Sequence, residues 1–169
     1  MTSQPHPDSE LVTIHYAVIT VSDTRTAETD RSGRLIQETL QQQGHRLLDY
    51  TILKDNPQAI LTQLSYLAAF KELQVVICNG GTGIAPQDTT YDALVPVLEK
   101  TLPGFGELFR YLSYQEIGSR AIASRAIAGI YQGKLLFSLP GSSNAVKLGL
   151  EKLIVPELIH LVKQLQGND

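Results

Sequence analysis

The stretch VVICNGGTG at residues 75–83 joins an apolar, β-branched run directly to a glycine-rich loop. Apolar residues at helical spacing follow at residues 89–98, where Pro96 is placed to shorten or kink a helix. The stretch therefore predicts a buried strand, a glycine loop and a helix in succession. Such a unit is typical of sheets whose strands are connected by helices.

The same order of strand, loop and helix recurs on both sides of this unit. Upstream, HYAVITV at residues 15–21 predicts a buried strand, and the helix expected from Asp30 should stop at Gly44. A strand at residues 47–53 leads into Asn56 and Pro57, a helix-capping signal. The later segments predict a helix around residues 105–112, one or two strands within 127–137, and a closing helix over 144–165 that is bent at Pro156.

Alternating strands and helices of this length favour a parallel sheet, because parallel neighbours need crossover connections. We therefore predict an α/β fold, specifically a three-layer αβα sandwich with a mostly parallel central sheet. The first residues are polar and proline-bearing, so we expect residues 1–12 to form a disordered N-terminal lead. Residues 13–169 are then expected to form a single domain.

The composition excludes several classes of function. The chain has 14 basic and 17 acidic residues, and its net charge of -3 offers no bulk attraction to nucleic acid or to an anionic membrane. It shows neither a signal-peptide pattern nor an apolar run of about 20 residues, so we expect a cytoplasmic protein with no nucleic-acid or membrane partner. Cys78 has no cysteine to pair with, and no zinc-binding spacing is present. Any phosphate must therefore be held by a local site.

Ligands of parallel sheets bind beyond the carboxyl ends of the strands, and this rule selects four short segments. They are Ser22 with Asp23, Asp55, residues 80–83 and residues 139–141. In the third segment, Gly80, Gly81 and Gly83 allow close approach, so successive N–H groups and the Thr82 hydroxyl can form a nest for an anion. The loop is neither a P-loop nor a dinucleotide-binding fingerprint. The glycines alone leave open the alternative of a tight connection.

Two carboxylates accompany this loop. Asp88 follows Gly83 by five residues, and Asp55 ends the preceding strand. Carboxylates repel a polyphosphate unless a divalent cation lies between them, and Mg²⁺ typically uses one or two carboxylates together with substrate phosphates. The pair therefore predicts a Mg²⁺ site, with a helix N-cap as the alternative for each aspartate.

A second turn, LPGSSN at residues 139–144, follows a strand and opens the last helix. Its geometry is that of an anion site at a helix N-terminus, or equally of a capped turn. Ser113, Ser124 and Arg125 could add hydroxyl and guanidinium donors for a phosphate. As single residues they are equally typical of a protein surface or a helix cap.

Taken together, seven ordered motifs resemble the family of molybdopterin-binding proteins that includes molybdopterin adenylyltransferase and molybdenum cofactor biosynthesis protein B. The motifs are ITVSDT at 19–24, DRSG at 30–33, GGTG at 80–83, DTTYDA at 88–93, PGFGELFR at 103–110, SRAIAG at 124–129 and LPGSSNAV at 139–146. The resemblance covers roughly residues 13–166.

The resemblance implies Mg²⁺- and ATP-dependent adenylylation of molybdopterin, with release of pyrophosphate, by a homo-oligomer that is a trimer or a hexamer. Asp55 and Asp88 match the catalytic acidic pair, and residues 80–83 match a phosphate cradle. The remaining matched positions are Ser113 and Ser124 as molybdopterin contacts, and Pro140, Gly141 and Asn144 as the second phosphate or nucleotide turn.

The chain departs from the family pattern at one position and in one short stretch. Asn79 stands where threonine is usual, and residues 85–87 lack the basic residue that adenylyltransferases often place beside the aspartate at 88. The alternative function is therefore a non-catalytic molybdopterin-binding or carrier protein of the same pathway. A generic phosphate-ligand-binding scaffold is a more distant alternative.

Overall fold

A computed structural model describes residues 12–167. The strands are β1 (His15–Val21), β2 (Arg46–Leu53), β3 (Val75–Asn79), β4 (Lys100–Thr101), β5 (Ile127–Tyr131) and β6 (Lys134–Leu139). The helices are α1 (Arg31–Gln42), α2 (Pro57–Ala68), α3 (Thr90–Leu94), α4 (Pro103–Ile117), α5 (Ser143–Gly149) and α6 (Val155–Gln166). Short 3₁₀ segments cover Val95–Val97 and Gly118–Ala123, and a π-helical segment at Leu150–Ile154 joins α5 to α6.

The strands form one six-stranded sheet in the order β2-β1-β3-β6-β5-β4. The pairs β1–β2, β1–β3 and β3–β6 are parallel, whereas β5 is antiparallel to both β6 and β4. Gln132 and Gly133 connect β5 to β6 with φ angles of 45° and 73°, as a tight two-residue hairpin requires. The mostly parallel sheet predicted from the sequence is confirmed, and residues 127–137 contribute to two strands.

Two hydrophobic cores cover the two faces of the sheet. One core packs Tyr16 and Val18 of β1 against α1, α4, α5 and α6. The other packs Ala17 and Ile19 of the same strand against α2 and α3. Alternation along β1 thus sends successive side chains into opposite layers, which is the three-layer αβα arrangement.

Local signals place several of the helix ends. The side chains of Asp30, Asn56 and Ser142 cap α1, α2 and α5 by accepting from a backbone N–H three residues further on. The helix predicted over residues 89–98 is shorter, because α3 ends at Leu94 and continues as the 3₁₀ segment that contains Pro96. The closing helix is interrupted at residues 150–154, immediately before Pro156 in the first turn of α6.

Most of the predicted lead falls on residues 1–11, outside the described residues. Val12, the last residue of that lead, packs partly buried against the first core. The single domain expected over residues 13–169 stays a prediction, and its last two residues lie outside the described part of the chain. Within residues 12–167, no helix combines the length and hydrophobicity needed to cross a bilayer.

Candidate functional site

A cavity of about 490 Å³ opens at the carboxyl edge of the parallel strands. The loops after β1, β3 and β6 meet there, because these three strands are adjacent in the sheet and point the same way. Helix α4 and the 3₁₀ segment after it close the other side. The residues lining it are Val21, Ser22, Thr24, Arg25, Gly80, Gly81, Thr82, Gly83, Asp88, Phe109, Ser113, Ile117, Arg120, Ala123, Ser124, Pro140, Gly141, Ser142 and Ala145.

The glycine loop has the backbone geometry of an anion nest. Gly80 and Gly81 have φ angles of 98° and 66°, values that side-chain-bearing residues rarely adopt. A Cβ on Gly80 would collide with the Val21 carbonyl, and one on Gly81 would collide with the Thr90 hydroxyl. Within residues 12–167, the N–H groups of residues 81–83 donate to no protein acceptor. They are therefore available to an anion in the cavity.

Asn79, which replaces the usual threonine, lies fully buried beneath this loop. Its Nδ2 donates to the Thr20 hydroxyl of β1 at 2.9 Å, and its Oδ1 has no partner among the described residues. The substitution thus ties β3 to β1 at the loop's base and leaves one buried acceptor unpaired.

Asp88 lies on the cavity wall and is folded against the glycine loop. Its Oδ2 accepts from the Ala85 N–H at 3.0 Å, and a Cβ on Gly83 would be 2.5 Å from that oxygen. Asp88 therefore closes the turn at residues 85–88; the N-cap position of α3 is Thr89. Its Oδ1 accepts no protein hydrogen bond within the described part of the chain.

Asp55 lies behind the loop, outside the cavity lining. Its Oδ1 accepts from the Thr89 N–H at 3.0 Å and from the Thr89 hydroxyl at 2.6 Å, which ties the end of β2 to the start of α3. Its Oδ2 faces Gly81, where a Cβ would be 2.5 Å away. The N-cap of α2 is Asn56, so the capping alternative for Asp55 at that helix is wrong.

The two aspartates thus contact the loop at Gly81 and Gly83, two residues apart, and each keeps one carboxylate oxygen without a protein donor among residues 12–167. Hard carboxylate oxygens beside a phosphate nest suit Mg²⁺. No group of three or more His, Cys, Asp or Glu residues that could hold a metal occurs in the described residues. A magnesium ion here would accordingly need substrate oxygens and water to complete its shell.

Arg125 does not line the cavity, and its guanidinium is used to hold the glycine loop from outside. Nε donates to the Thr82 and Gly83 carbonyls at 3.3 and 3.1 Å, and Nη2 donates to the Gly83 and Asp88 carbonyls at 2.6 and 3.3 Å. Nη1 binds both oxygens of the Asp92 carboxylate at 3.0 Å. All three nitrogens already donate to protein acceptors. This placement therefore favours a structural role, in which Arg125 holds the loop in shape, over the direct ligand contact expected from the sequence.

Two other arginines provide positive charge at the cavity wall, and sequence reasoning missed both. Arg25 lies in the loop after β1, two residues beyond Asp23. The rule that selected Ser22 and Asp23 could have found it. Arg120 is exposed in the 3₁₀ segment after α4, and no local pattern marks it. Together they offset the charge of Asp88 and favour an anionic guest.

Hydroxyl groups and the second turn complete the wall. Ser113 on α4 is buried and lines the cavity, and so does Ser124, whose buried Oγ has no partner among the described residues. An orphaned hydroxyl beside a cavity is suited to a polar ligand. Pro140 and Gly141 also line it, and Gly141 packs so closely on Gly80 that a Cβ would be 3.1 Å from the Gly80 Cα.

Three residues predicted for the site lie at its margins. The Ser22 hydroxyl accepts from the N–H groups of Thr24 and Arg25, so it shapes the loop that it lines. Asp23 is exposed, lies outside the lining, and accepts from the Asp55 N–H at 3.0 Å. Asn144 is also exposed and lines a separate groove between α4 and α5.

Comparison with known proteins matches the folded chain over nearly its whole length. Residues 17–160 match the family described as probable molybdopterin binding domain. A protein of Bacillus subtilis named molybdenum cofactor biosynthesis protein B is 50% identical over 171 residues, covering 99% of both chains. One of the same name from Halalkalibacterium halodurans is 46% identical over 166 residues, covering 98% of both. A crystal structure of molybdenum cofactor biosynthesis protein B superposes with a TM-score of 0.90 at 45% identity, covering 94% of this chain and 99% of that one.

Proposed function

The chain belongs to the molybdopterin-binding domain family and acts in molybdenum cofactor biosynthesis, and from that premise we propose that it is a cytoplasmic molybdopterin adenylyltransferase. Molybdopterin and ATP would be its substrates. The terminal phosphate of molybdopterin would attack the α-phosphorus of ATP, forming the new phosphoanhydride bond as pyrophosphate leaves. One observation carries the proposal: residues 81–83, whose N–H groups donate to no acceptor among the described residues, line an open cavity, and two aspartates are folded against the same loop.

The chain's own residues supply positioning and charge, which are what transfer at phosphorus mainly needs. The N–H groups of residues 81–83 would bind phosphate oxygens, while Arg25 and Arg120 would neutralise the remaining charge. Ser113 and Ser124 would bind the pterin or its phosphate. Asp88 at the wall and Asp55 behind Gly81 would hold Mg²⁺ with their free oxygens. When bound, that ion supplies neutralisation of the polyphosphate and orientation of its oxygens.

The second candidate is a non-catalytic protein that binds molybdopterin and passes it on. The loop between Gly83 and Asp88 favours it, because the exposed residues there are Ile84, Pro86 and Gln87, none of which is basic. The polyphosphate would then have to rely on cations from the opposite wall. Such a carrier would bind the pterin without turning over ATP.

A turnover assay separates these functions. Pyrophosphate release is measured with molybdopterin, ATP and Mg²⁺ for the native chain, Asp55→Asn and Asp88→Asn. We expect that pyrophosphate release requires all three components. The rate of release should fall about 100-fold or more in each variant, because removal of one preorganised charge-stabilising group slows catalysis on that scale. The matched control is Asp49→Asn, a half-buried, hydrogen-bonded aspartate on β2 away from the cavity, which should leave the rate unchanged.

Each competing function has its own outcome in this assay. Tight molybdopterin binding with no pyrophosphate release would identify a carrier. No binding of molybdopterin under anaerobic conditions would refute both functions and leave a generic phosphate-ligand scaffold.

We also propose that the chain assembles as a trimer or a hexamer. Large apolar side chains along α4 are more than half exposed: Leu108, Tyr111, Tyr114 and Ile117, of which Ile117 also lines the cavity. A contiguous apolar stripe of this kind marks a surface that another protein covers, and most soluble oligomers are closed homo-oligomers. Light scattering should give three or six times the 18.5 kDa chain mass, and Tyr111→Lys should lower it. A monomeric native chain would refute the assembly.

A further inference from the structure

We propose that Asp30 and Tyr50, which lie outside the cavity, are positioning residues that hold the Arg25 guanidinium at the cavity wall to bind phosphate. The inference rests on the phosphate-binding function proposed above. Neither the strand-end rule nor the glycine loop selects Asp30 or Tyr50.

Arg25 has donor capacity left for a ligand, in contrast to Arg125. Its Nη2 donates to the Gly141 carbonyl at 2.7 Å, and its Nη1 lies 3.6 Å from Asp30 Oδ1. Its Nε donates to no acceptor among residues 12–167, and 29% of its side chain is exposed. A guanidinium presents five N–H donors, so several remain for phosphate oxygens at this wall.

Asp30 has more partners than a helix cap requires. Its carboxylate is completely buried, and Oδ1 accepts the capping hydrogen bond from the Gly33 N–H at 2.9 Å. An asparagine or serine would cap α1 equally well without bringing a charge into the interior. A buried carboxylate needs a compensating cation, and the ion pair with Arg25 provides one. The buried charge therefore attracts the guanidinium to one place.

Tyr50 orients that carboxylate. Its hydroxyl, on β2, donates to Asp30 Oδ2 at 2.6 Å, a short hydrogen bond to a charged acceptor. With Oδ2 occupied in this way, Oδ1 is directed toward Gly33 and Arg25. Burial raises the pKa of the Tyr50 hydroxyl well above its ordinary value, and the Asp30 carboxylate raises it further. The hydroxyl thus stays protonated and remains a donor at physiological pH.

The same network connects the two loops of the site. The Gly141 carbonyl accepts from both Arg25 Nη2 and the Ser32 hydroxyl, each at 2.7 Å. Gly141 in turn packs against Gly80 of the glycine loop. A chain of contacts therefore runs from an edge strand to the wall where phosphate would lie, through Tyr50, Asp30, Arg25 and Gly141.

The test is titration calorimetry of inorganic pyrophosphate, with Mg²⁺ present, into the full chain and its variants. Arg25→Ala should weaken binding about tenfold or more, the scale of a lost charged hydrogen bond. Tyr50→Phe should weaken it roughly threefold to tenfold, since one hydroxyl that orients the pair is lost. The matched control is Tyr16→Phe, which removes a hydroxyl that donates to the Gln37 carbonyl of α1 at 3.1 Å and should change affinity less than about twofold.

A double-mutant cycle distinguishes positioning from general destabilisation. In the Arg25→Ala background, Tyr50→Phe should cause no further loss of pyrophosphate affinity, because its effect passes through the missing guanidinium. Asp30→Asn, which keeps an N-cap, should behave like Tyr50→Phe. An equal loss in both backgrounds would overturn the inference, as would native affinity in Tyr50→Phe and Asp30→Asn. If Tyr50→Phe and Asp30→Asn bind with native affinity but Arg25→Ala binds pyrophosphate more weakly, the inference fails and the proposed function stands. If the native chain does not bind pyrophosphate, the inference and the proposed function are both refuted.

Discussion

Replacing Arg125 with alanine tests whether the glycine loop is shaped from outside the cavity. The substitution removes four hydrogen bonds that the guanidinium donates to the carbonyls of Thr82, Gly83 and Asp88. It also removes the pairing with Asp92 and the stacking of the guanidinium on Tyr91, 4.9 Å from the ring centre. Nothing in alanine can replace these contacts.

The magnitude follows from the quality of the individual contacts. The two closest of the four bonds to carbonyls, at 2.6 and 3.1 Å, both reach the Gly83 carbonyl. A hydrogen bond to a charged group contributes about 1.5–3 kcal/mol net. The side chain is 24% exposed, so water can reach the freed carbonyls in part; we expect a loss of about 2–4 kcal/mol in the free energy of unfolding. Asp92 is 64% exposed, and its ion pair should contribute at most about 1 kcal/mol.

Urea unfolding measures the loss, and hydrogen exchange of residues 81–89 shows whether it is concentrated in the loop. Arg125→Lys should be intermediate, because an ammonium group cannot reproduce the planar fork of donors. Asp92→Asn is the control for the exposed ion pair and should change stability by less than about 1 kcal/mol. The reasoning is refuted if Arg125→Ala unfolds and exchanges like the native chain while losing pyrophosphate affinity. That result would identify Arg125 as the direct ligand that the sequence predicted.

Three further predictions concern single sites. Asp55→Asn should keep the native free energy of unfolding to within about 1 kcal/mol, since an amide oxygen can still accept from Thr89. Asp55→Ala should lower the free energy of unfolding by roughly 2–3 kcal/mol in urea unfolding. Equal stability of the two variants would contradict this. Gly81→Ala should destabilise the loop by at least about 1–2 kcal/mol from its positive φ alone, and it should abolish pyrophosphate binding in calorimetry. Gly44 also has a positive φ, but a Cβ there would meet open space, so Gly44→Ala measures the backbone cost without the steric cost. His45 is buried and its Nδ1 accepts from the Ile14 N–H at 3.2 Å, and burial lowers its pKa below the ordinary 6.5. The unfolded chain therefore binds more protons below pH 6.5, so stability should fall as the pH drops through 6.5 to the lower folded pKa; His45→Gln should remove that part of the slope in urea unfolding series, and an unchanged slope would refute it.

The sequence alone determined the order of the elements and the edge of the sheet at which the cavity opens. The strand predicted at residues 15–21 coincides with β1, and the caps at Asp30 and Asn56 lie where local side chains can reach their own backbone. Such features depend on contacts between residues a few positions apart and on apolar periodicity, both of which can be read from the sequence. The glycine loop and its aspartates were found for the same reason, because strand ends collect at one edge of a parallel sheet.

Only the tertiary structure decided what each charged side chain contacts there. Arg125 and Arg25 look alike in sequence, yet Arg125 donates to loop carbonyls about forty residues away. Arg25 keeps donors at the cavity wall that bond to no acceptor among the described residues. Asp55 and Asp88 both contact the glycine loop, but only Asp88 lines the cavity. Long-range packing selects among the many partners that a flexible charged side chain can reach, and no spacing along the chain records that selection.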